Sequence, residues 1–484
     1  MIDYRTISWI IGAFMAALAA LMLTPLVFAA GQDTIVIGAF LKGAGVTLGA
    51  AALLLLIGFR RPRQEMRPRE AMLLVVLVWV MTCLLGALPL WFTPHYPAFT
   101  DALFESTSGF TTTGASVIDD VEALSRPVHL WRSLSHWLGG MGIILLGLAV
   151  LPLLGHGGNA MYRAEFSGSS SERLRPRILE TARSLWRIYL LLTVLEFLLL
   201  MFAGMGAFEA LCHAFSTLGT GGFSTRNASI AGFQSETIEY IVILFMLLGG
   251  ISFAQHYRLL VERRPRPVMR DYEVRSYLAI TAVATLVIAL SLLVSSDAGF
   301  EPALRAALFQ TVSIATTTGF ATADYTLWQP FAQLVLLVLM FVGGCTGSTA
   351  SGLKVARIIF LLKLVQREFR RFTEPLGVFR IRMQGSVIPD QAICGLLNLV
   401  FLSLLLMLVA SLLLTAMGMD LLTAISSVMA SQFNVGPGLG EVGPTSSYGD
   451  LPMPAKWVLI FCMIAGRLEF YTFLVVLTPV FWRR

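Results

Sequence analysis

Six stretches of this sequence, 7–30, 35–58, 71–92, 181–203, 276–294 and 395–417, run about twenty residues almost without charge. Each is long enough to cross a hydrocarbon core of roughly 30 Å as a helix. Packing them instead as core helices of one soluble domain would leave too little polar covering. Only 13% of the chain is charged and 56% is apolar, whereas a soluble protein has about a quarter charged. The expectation is an all-α polytopic membrane protein.

The net charge of +6 does not describe a nucleic-acid-binding surface, because the basic residues fall into separate connections. One group is Arg60, Arg61, Arg63, Arg67 and Arg69, and a second runs from Arg163 to Arg187. A third runs from Arg258 to Arg275, and a fourth from Lys354 to Arg382. These occupy every second break in the hydrophobic pattern. By the positive-inside rule they and both termini face the cytoplasm. The run from Ile7 to Ala30 is long for a signal peptide and a second span follows at once, so it reads as a retained helix. The cysteines lie in or beside apolar segments without CxxC spacing, which predicts neither metal ligation nor disulfides.

The other breaks share a motif. They contain Thr111-Thr-Thr-Gly-Ala, Gly219-Thr-Gly-Gly-Phe, Thr316-Thr-Thr-Gly-Phe and Phe433-Asn-Val-Gly-Pro. Aligned on Gly114, Gly222, Gly319 and Gly436, they are spaced by 108, 97 and 117 residues, which reads as one unit used four times. Each unit has an apolar span, a short stretch too short to cross, the polar glycine segment and a second span. In the first unit these pieces are 70–92, 99–110, 111–116 and 128–152. The orientation closes only if the short stretch dips in and returns. Irregular backbone at membrane depth survives only inside protein or against a water-filled cavity. The expected organisation is two extra N-terminal helices (1–66), then pore repeats at 67–160, 161–264, 265–372 and 373–484, arranged as M1–pore loop–M2 around a pseudo-fourfold pore.

Four such loops can supply rings of backbone carbonyls to a dehydrated cation. Glycine permits the required backbone, and the residues before it should be small or β-branched and uncharged. The expected filter is Thr112, Thr113 and Gly114; Thr220, Gly221 and Gly222; Thr317, Thr318 and Gly319; and Asn434, Val435 and Gly436. Each short helix would aim the negative end of its dipole at the ion, and Asp101 and Glu209 suit the positive ends.

These segments resemble the four filters of the Trk/Ktr/HKT potassium transporter superfamily over nearly the whole chain, and the two extra helices resemble its bacterial TrkH-type branch. The resemblance implies potassium as the transported ion, with rubidium also accepted and no covalent cofactor. It further implies a homodimer with one pore per protomer in the lipid of the bacterial inner membrane, and a cytoplasmic nucleotide-binding partner of the TrkA type. Gly114 at the first filter position resembles the potassium-selecting members.

Two further features carry over. Gly343, Gly344, Gly347 and Gly352 interrupt the third unit's second span, at a cost of roughly 1 kcal/mol each to a helix. On the residues alone this is either an unwound segment or a close helix-packing face. The family places an intramembrane gating loop there. Arg467 lies deep in the last apolar span, where an arginine costs about 2.5–3.5 kcal/mol on insertion scales and needs a partner or water. The resemblance assigns it to the gate. The competing reading is a structural pair with Glu469, although i, i+2 spacing does not put the two on one helix face. Lys354 is a weaker gate candidate, equally placed to belong to the cytoplasmic basic cluster. A proton- or sodium-coupled symporter is the alternative function, with Glu196 the clearest acidic residue in an apolar span. No nucleophile–base constellation points to an enzyme.

Overall fold

The computed structural model describes residues 2–29, 34–59, 66–150, 174–295, 299–375, 377–383 and 386–483. The expected repeat boundary at 160/161 lies outside them, as do Arg60, Arg61, Arg63, Arg163, Arg173 and Arg484. The described chain is helical apart from a two-residue antiparallel pairing of Arg382–Met383 with Ser386–Val387.

Six helical segments are long and apolar enough to cross a membrane: Tyr4–Phe28, Thr34–Ile57, Arg69–Trp91, Ala182–Phe202, Tyr272–Ser295 and Ala392–Ala416. Their composition dictates how they pack. Large apolar side chains such as Leu56, Leu290, Val294 and Phe401 point outward and are exposed, while Thr107, Ser108, Thr217, Gln310 and Thr317 are fully buried. Apolar outside and polar inside is the arrangement for a protein whose solvent is lipid around a polar axis.

The first two helices pair closely. A methyl group at Gly12 would come within 2.9 Å of the Ala51 carbonyl oxygen, so a glycine is needed for this approach.

Four short helices lie inside: Phe99–Phe110, Ala207–Gly219, Phe300–Ala315 and Leu421–Gln432. Each is followed by an irregular loop and then by a second helix, beginning at Arg126, Glu236, Pro330 and Met453. These second helices are less regular than the first. Glu236–Gly249 and Phe253–Leu260 meet at a 101° bend, and Met453–Arg467 and Tyr471–Leu477 at 119°. From its apolar run the last span is expected to continue past Arg467. Instead the helix ends at Arg467, and Glu469 and Phe470 take positive φ angles of 55° and 54°. Pro330–Val342 likewise stops at Gly343, and helix resumes only at Val355.

Candidate functional site

The four short helices end the same way. An amide two or three residues past each helix end folds back, with Thr113 N donating to Ser108 O, Gly221 N to Ser216 O, Thr318 N to Ser313 O and Val435 N to Ala430 O, at 2.8–2.9 Å. This Schellman-like closure needs a left-handed residue. Thr112, Thr220, Thr317 and Asn434 supply it, with φ of 54°, 52°, 54° and 53°. Two residues later Gly114, Gly222, Gly319 and Gly436 are again positive, at 82°, 81°, 83° and 100°. Left-handed backbone at alternate residues is the geometry that can turn consecutive carbonyls to one side, as a ring of cation-binding oxygens requires.

The loops also close on each other in order. A methyl group at Gly114 would come within 1.9 Å of the Gly221 oxygen. One at Gly222 would be 2.2 Å from the Thr318 oxygen, one at Gly319 2.1 Å from the Val435 oxygen, and one at Gly436 2.5 Å from the Thr113 oxygen. First meets second, second third, third fourth, and fourth first. Eight of the twelve residues singled out from sequence, two from each loop, therefore meet in a closed ring, with no room for a side chain at the four glycines. Beside them a cavity of about 750 Å³ is lined by Gly114, Gly222, Gly319 and Pro437 together with charged residues of both signs, among them Asp119, Glu441, Arg132 and Arg226.

Charge supports the same centre. Asp101, Glu209 and Glu301 occupy the first turns of their short helices, and Asp420 caps the fourth with its side chain accepting from Leu422 N and Thr423 N. Each thus carries an acid at the positive end of its dipole and turns the negative end toward the axis. Glu301 and Asp420 were missed from sequence, although an acid two or three residues before an apolar run was a usable signal. Tyr448 was missed as well. Its hydroxyl donates to the Gly436 carbonyl at 2.7 Å, a contact that nothing local announces.

The second cluster lies against the loops. Gly343, Gly347 and Gly352 adopt φ of 71°, 75° and 81°, and the buried Gly344 carbonyl accepts from Val355 N at 3.0 Å. The segment is an ordered, non-helical turn rather than a packing face of a continuous helix. Ser351 N donates to Thr317 Oγ1 at 2.8 Å, joining it to the third loop. Thr346 N and Oγ1 donate to Glu273, as does Ala356 N. Arg467, 1% exposed, donates from Nη1 to Thr349 O at 3.1 Å and Ser351 Oγ at 2.9 Å, and from Nη2 to Gly139 O at 2.9 Å. Glu469 pairs with Arg357 at 2.6 Å, so the Arg467–Glu469 pairing considered from sequence is not the one formed. Lys354 is buried and its ammonium donates to Ala350 O. With Arg357 it belongs beneath this segment, not in a solvated basic connection.

Comparison with known proteins places these features in context. The family model for TrkH, described as a cation transport protein, matches residues 39–482. The Trk system potassium uptake protein TrkH of Halomonas elongata is 42% identical over 489 residues, spanning 99% of both chains. The protein of that name from Escherichia coli K12 is 41% identical over 88% of both. The crystal structure of the potassium transporter TrkH from Vibrio parahaemolyticus superposes with a TM-score of 0.90 at 38% identity, covering 100% of both chains.

Proposed function

This chain belongs to the TrkH family of cation transport proteins, and from that membership we propose that it takes up potassium through the four-loop axis described above. The observation that carries the proposal is the cyclic contact of the four glycines with the carbonyls of the next loop. A dehydrated potassium ion needs several oxygen ligands at once, and four loops of alternating hand offer carbonyl rings from residues 112–114, 220–222, 317–319 and 434–436. The units are those bounded at 67–160, 161–264, 265–372 and 373–484, after the two helices of 1–66. Potassium is cargo, with rubidium accepted as its nearest substitute, and no covalent cofactor takes part.

The gate is the segment from Gly343 to Lys354. It lies against the third filter loop through Ser351 and Thr317 and is pinned by Arg467. A buried guanidinium that donates from Nη1 and Nη2 to three acceptors, its Nε without a partner among the described residues, both holds that segment shut and repels cations below the filter. Opening requires those contacts to part. The working unit is a homodimer in the inner membrane with both termini cytoplasmic, opened by a TrkA-type nucleotide-binding partner. The relatives' printed name, Trk system, fits a protein that acts with other components.

A coupled symporter is the second reading. Glu196 is fully buried within the span Ala182–Phe202 with its carboxyl near Thr217 of the second short helix, a placement from which a proton-binding group could sense the pore.

Uptake of rubidium by a bacterial strain lacking its own potassium systems tests the proposal. The native chain restores uptake and growth at low potassium. A membrane-inserted chain that never moves rubidium, even with a regulatory partner supplied, would overturn it.

A further inference from the structure

Nine residues before the filter glycines the chain carries Glu105, His213, Gln310 and Ser427. The first three reach past the filter to the strand that leaves it. The Glu105 carboxylate accepts from Ser116 Oγ at 3.0 Å and Val117 N at 3.0 Å. His213 Nε2 lies 3.0 Å from Ser224 Oγ, and Ser224, like Ser116, stands two residues after its glycine. The Gln310 carboxamide oxygen accepts from Thr322 N at 2.8 Å and Ala323 N at 3.1 Å in the orientation that satisfies both. In the fourth unit the adjacent Ser426 takes this part, its hydroxyl donating to Leu439 O at 3.0 Å and accepting from Leu439 N at 2.9 Å. Four chemically different side chains thus tie each short helix to its own exit strand, and all are buried, at 1% exposure or less.

The first of these contacts is ionic. Arg132 Nε meets Glu105 at 2.8 Å with side-chain exposures of 2% and 0%. Its Nη2 reaches Ser116 Oγ at 3.3 Å, and its guanidinium lies 4.2 Å over the ring of Phe223, the residue after Gly222. One buried pair therefore fixes the exit of the first loop to the exit of the second. A desolvated pair is held charged and rigid by its further bonds, and those made here, from Ser116 Oγ and Val117 N to Glu105 and from Arg132 Nη2 to Ser116 Oγ, go to the filter's own flank, while Arg132 Nη1 has no hydrogen-bond partner among the described residues.

We propose that Glu105, His213, Gln310 and Ser426 are positioning residues for ion discrimination, with the Glu105–Arg132 pair the dominant one. Bracing both ends of each loop holds the carbonyls at the spacing that suits potassium, and a loosened loop collapses onto the smaller sodium ion. This rests on the filter reading above.

The test uses the full-length protein in lipid vesicles, measuring rubidium and sodium influx together with recovery of folded protein by gel filtration. His213→Ala and Gln310→Leu remove a brace without stranding a charge, and each lowers the rubidium-to-sodium influx ratio about fivefold, the worth of one buried hydrogen bond. Glu105→Ala lowers it further, and Glu105→Gln, which keeps an acceptor as the third unit does, recovers part of the loss. If Glu105→Ala does not fold, the two neutral variants decide. Folded His213→Ala and Gln310→Leu with the native ratio, or with equal loss of both ions, would overturn the proposal. A Gly114→Ser control that lowers the ratio in the same assay would then leave the filter reading standing. A control that leaves the ratio unchanged would remove both.

Discussion

Gly114 sits where any side chain collides with the next loop, 1.9 Å from the Gly221 oxygen, at a φ of 82° that L-residues adopt at a cost of roughly 1–2 kcal/mol. Gly114→Ser must therefore move the second loop. The expected result is a folded protein whose preference for rubidium over sodium falls at least about tenfold, equivalent to about 1.4 kcal/mol of discrimination, read as the influx ratio. Arg467 makes the opposite kind of prediction. Arg467→Ala removes three donated bonds to Thr349, Ser351 and Gly139, so rubidium influx without any activating partner rises. A variant as tightly closed as the native protein would show that the arginine is only structural. Tyr448→Phe frees the Gly436 carbonyl from its hydroxyl donor. It shifts the influx ratio by no more than about fivefold, because one hydrogen bond changes hands.

At the level of elements, the segment from Gly343 to Lys354 depends on glycines that its sequence supplies in a run. Gly352 has a φ of 81°, and a methyl group there would lie 2.6 Å from the Gly343 Cα. Gly352→Ala should displace the segment and raise unactivated influx, measurable beside Arg467→Ala. Much of this was legible in the sequence. The short helix expected at 99–110 is Phe99–Phe110, and the spans at 35–58 and 276–294 are Thr34–Ile57 and Tyr272–Ser295, because length and lack of charge decide a span. The four loops that meet in a ring were legible because the motif recurs four times and each carries a glycine at a positive φ, whereas the positive φ of Thr112, Thr220, Thr317 and Asn434 was not. The break after Arg467 was not legible. Glu469 and Phe470 are poor residues for positive φ and adopt it where Arg357, 112 positions away, holds Glu469. The braces escaped for the same reason: Glu105 and Arg132 are joined across 27 positions, and only the folded chain shows that Ser116, Val117 and Phe223 complete the pair.

At the scale of the whole molecule, polar chemistry is concentrated on one axis and apolar surface faces outward. A soluble domain inverts this, and the inversion explains why composition excluded that class before any motif was read. The long exposed apolar faces of Tyr272–Ser295 and Asp390–Ala416, including Leu286, Leu290, Phe401 and Leu412, must meet lipid or a second copy. If the working unit is the proposed homodimer, the detergent-solubilised protein should have the protein mass of two chains, about 106 kDa from 52.9 kDa each. A protein mass of one chain under conditions that preserve rubidium flux would remove the dimer from the account and leave the pore intact.

If one axis of four glycine loops selects and conducts potassium, ion competition in reconstituted vesicles will read it. Purified protein is placed in lipid vesicles with an outward potassium gradient, and tracer rubidium uptake is followed with excess sodium or potassium outside. External potassium should inhibit strongly and sodium little, and Gly114→Ser should lose that difference. Equal inhibition by both ions in the native protein, or a difference untouched by Gly114→Ser, would contradict it.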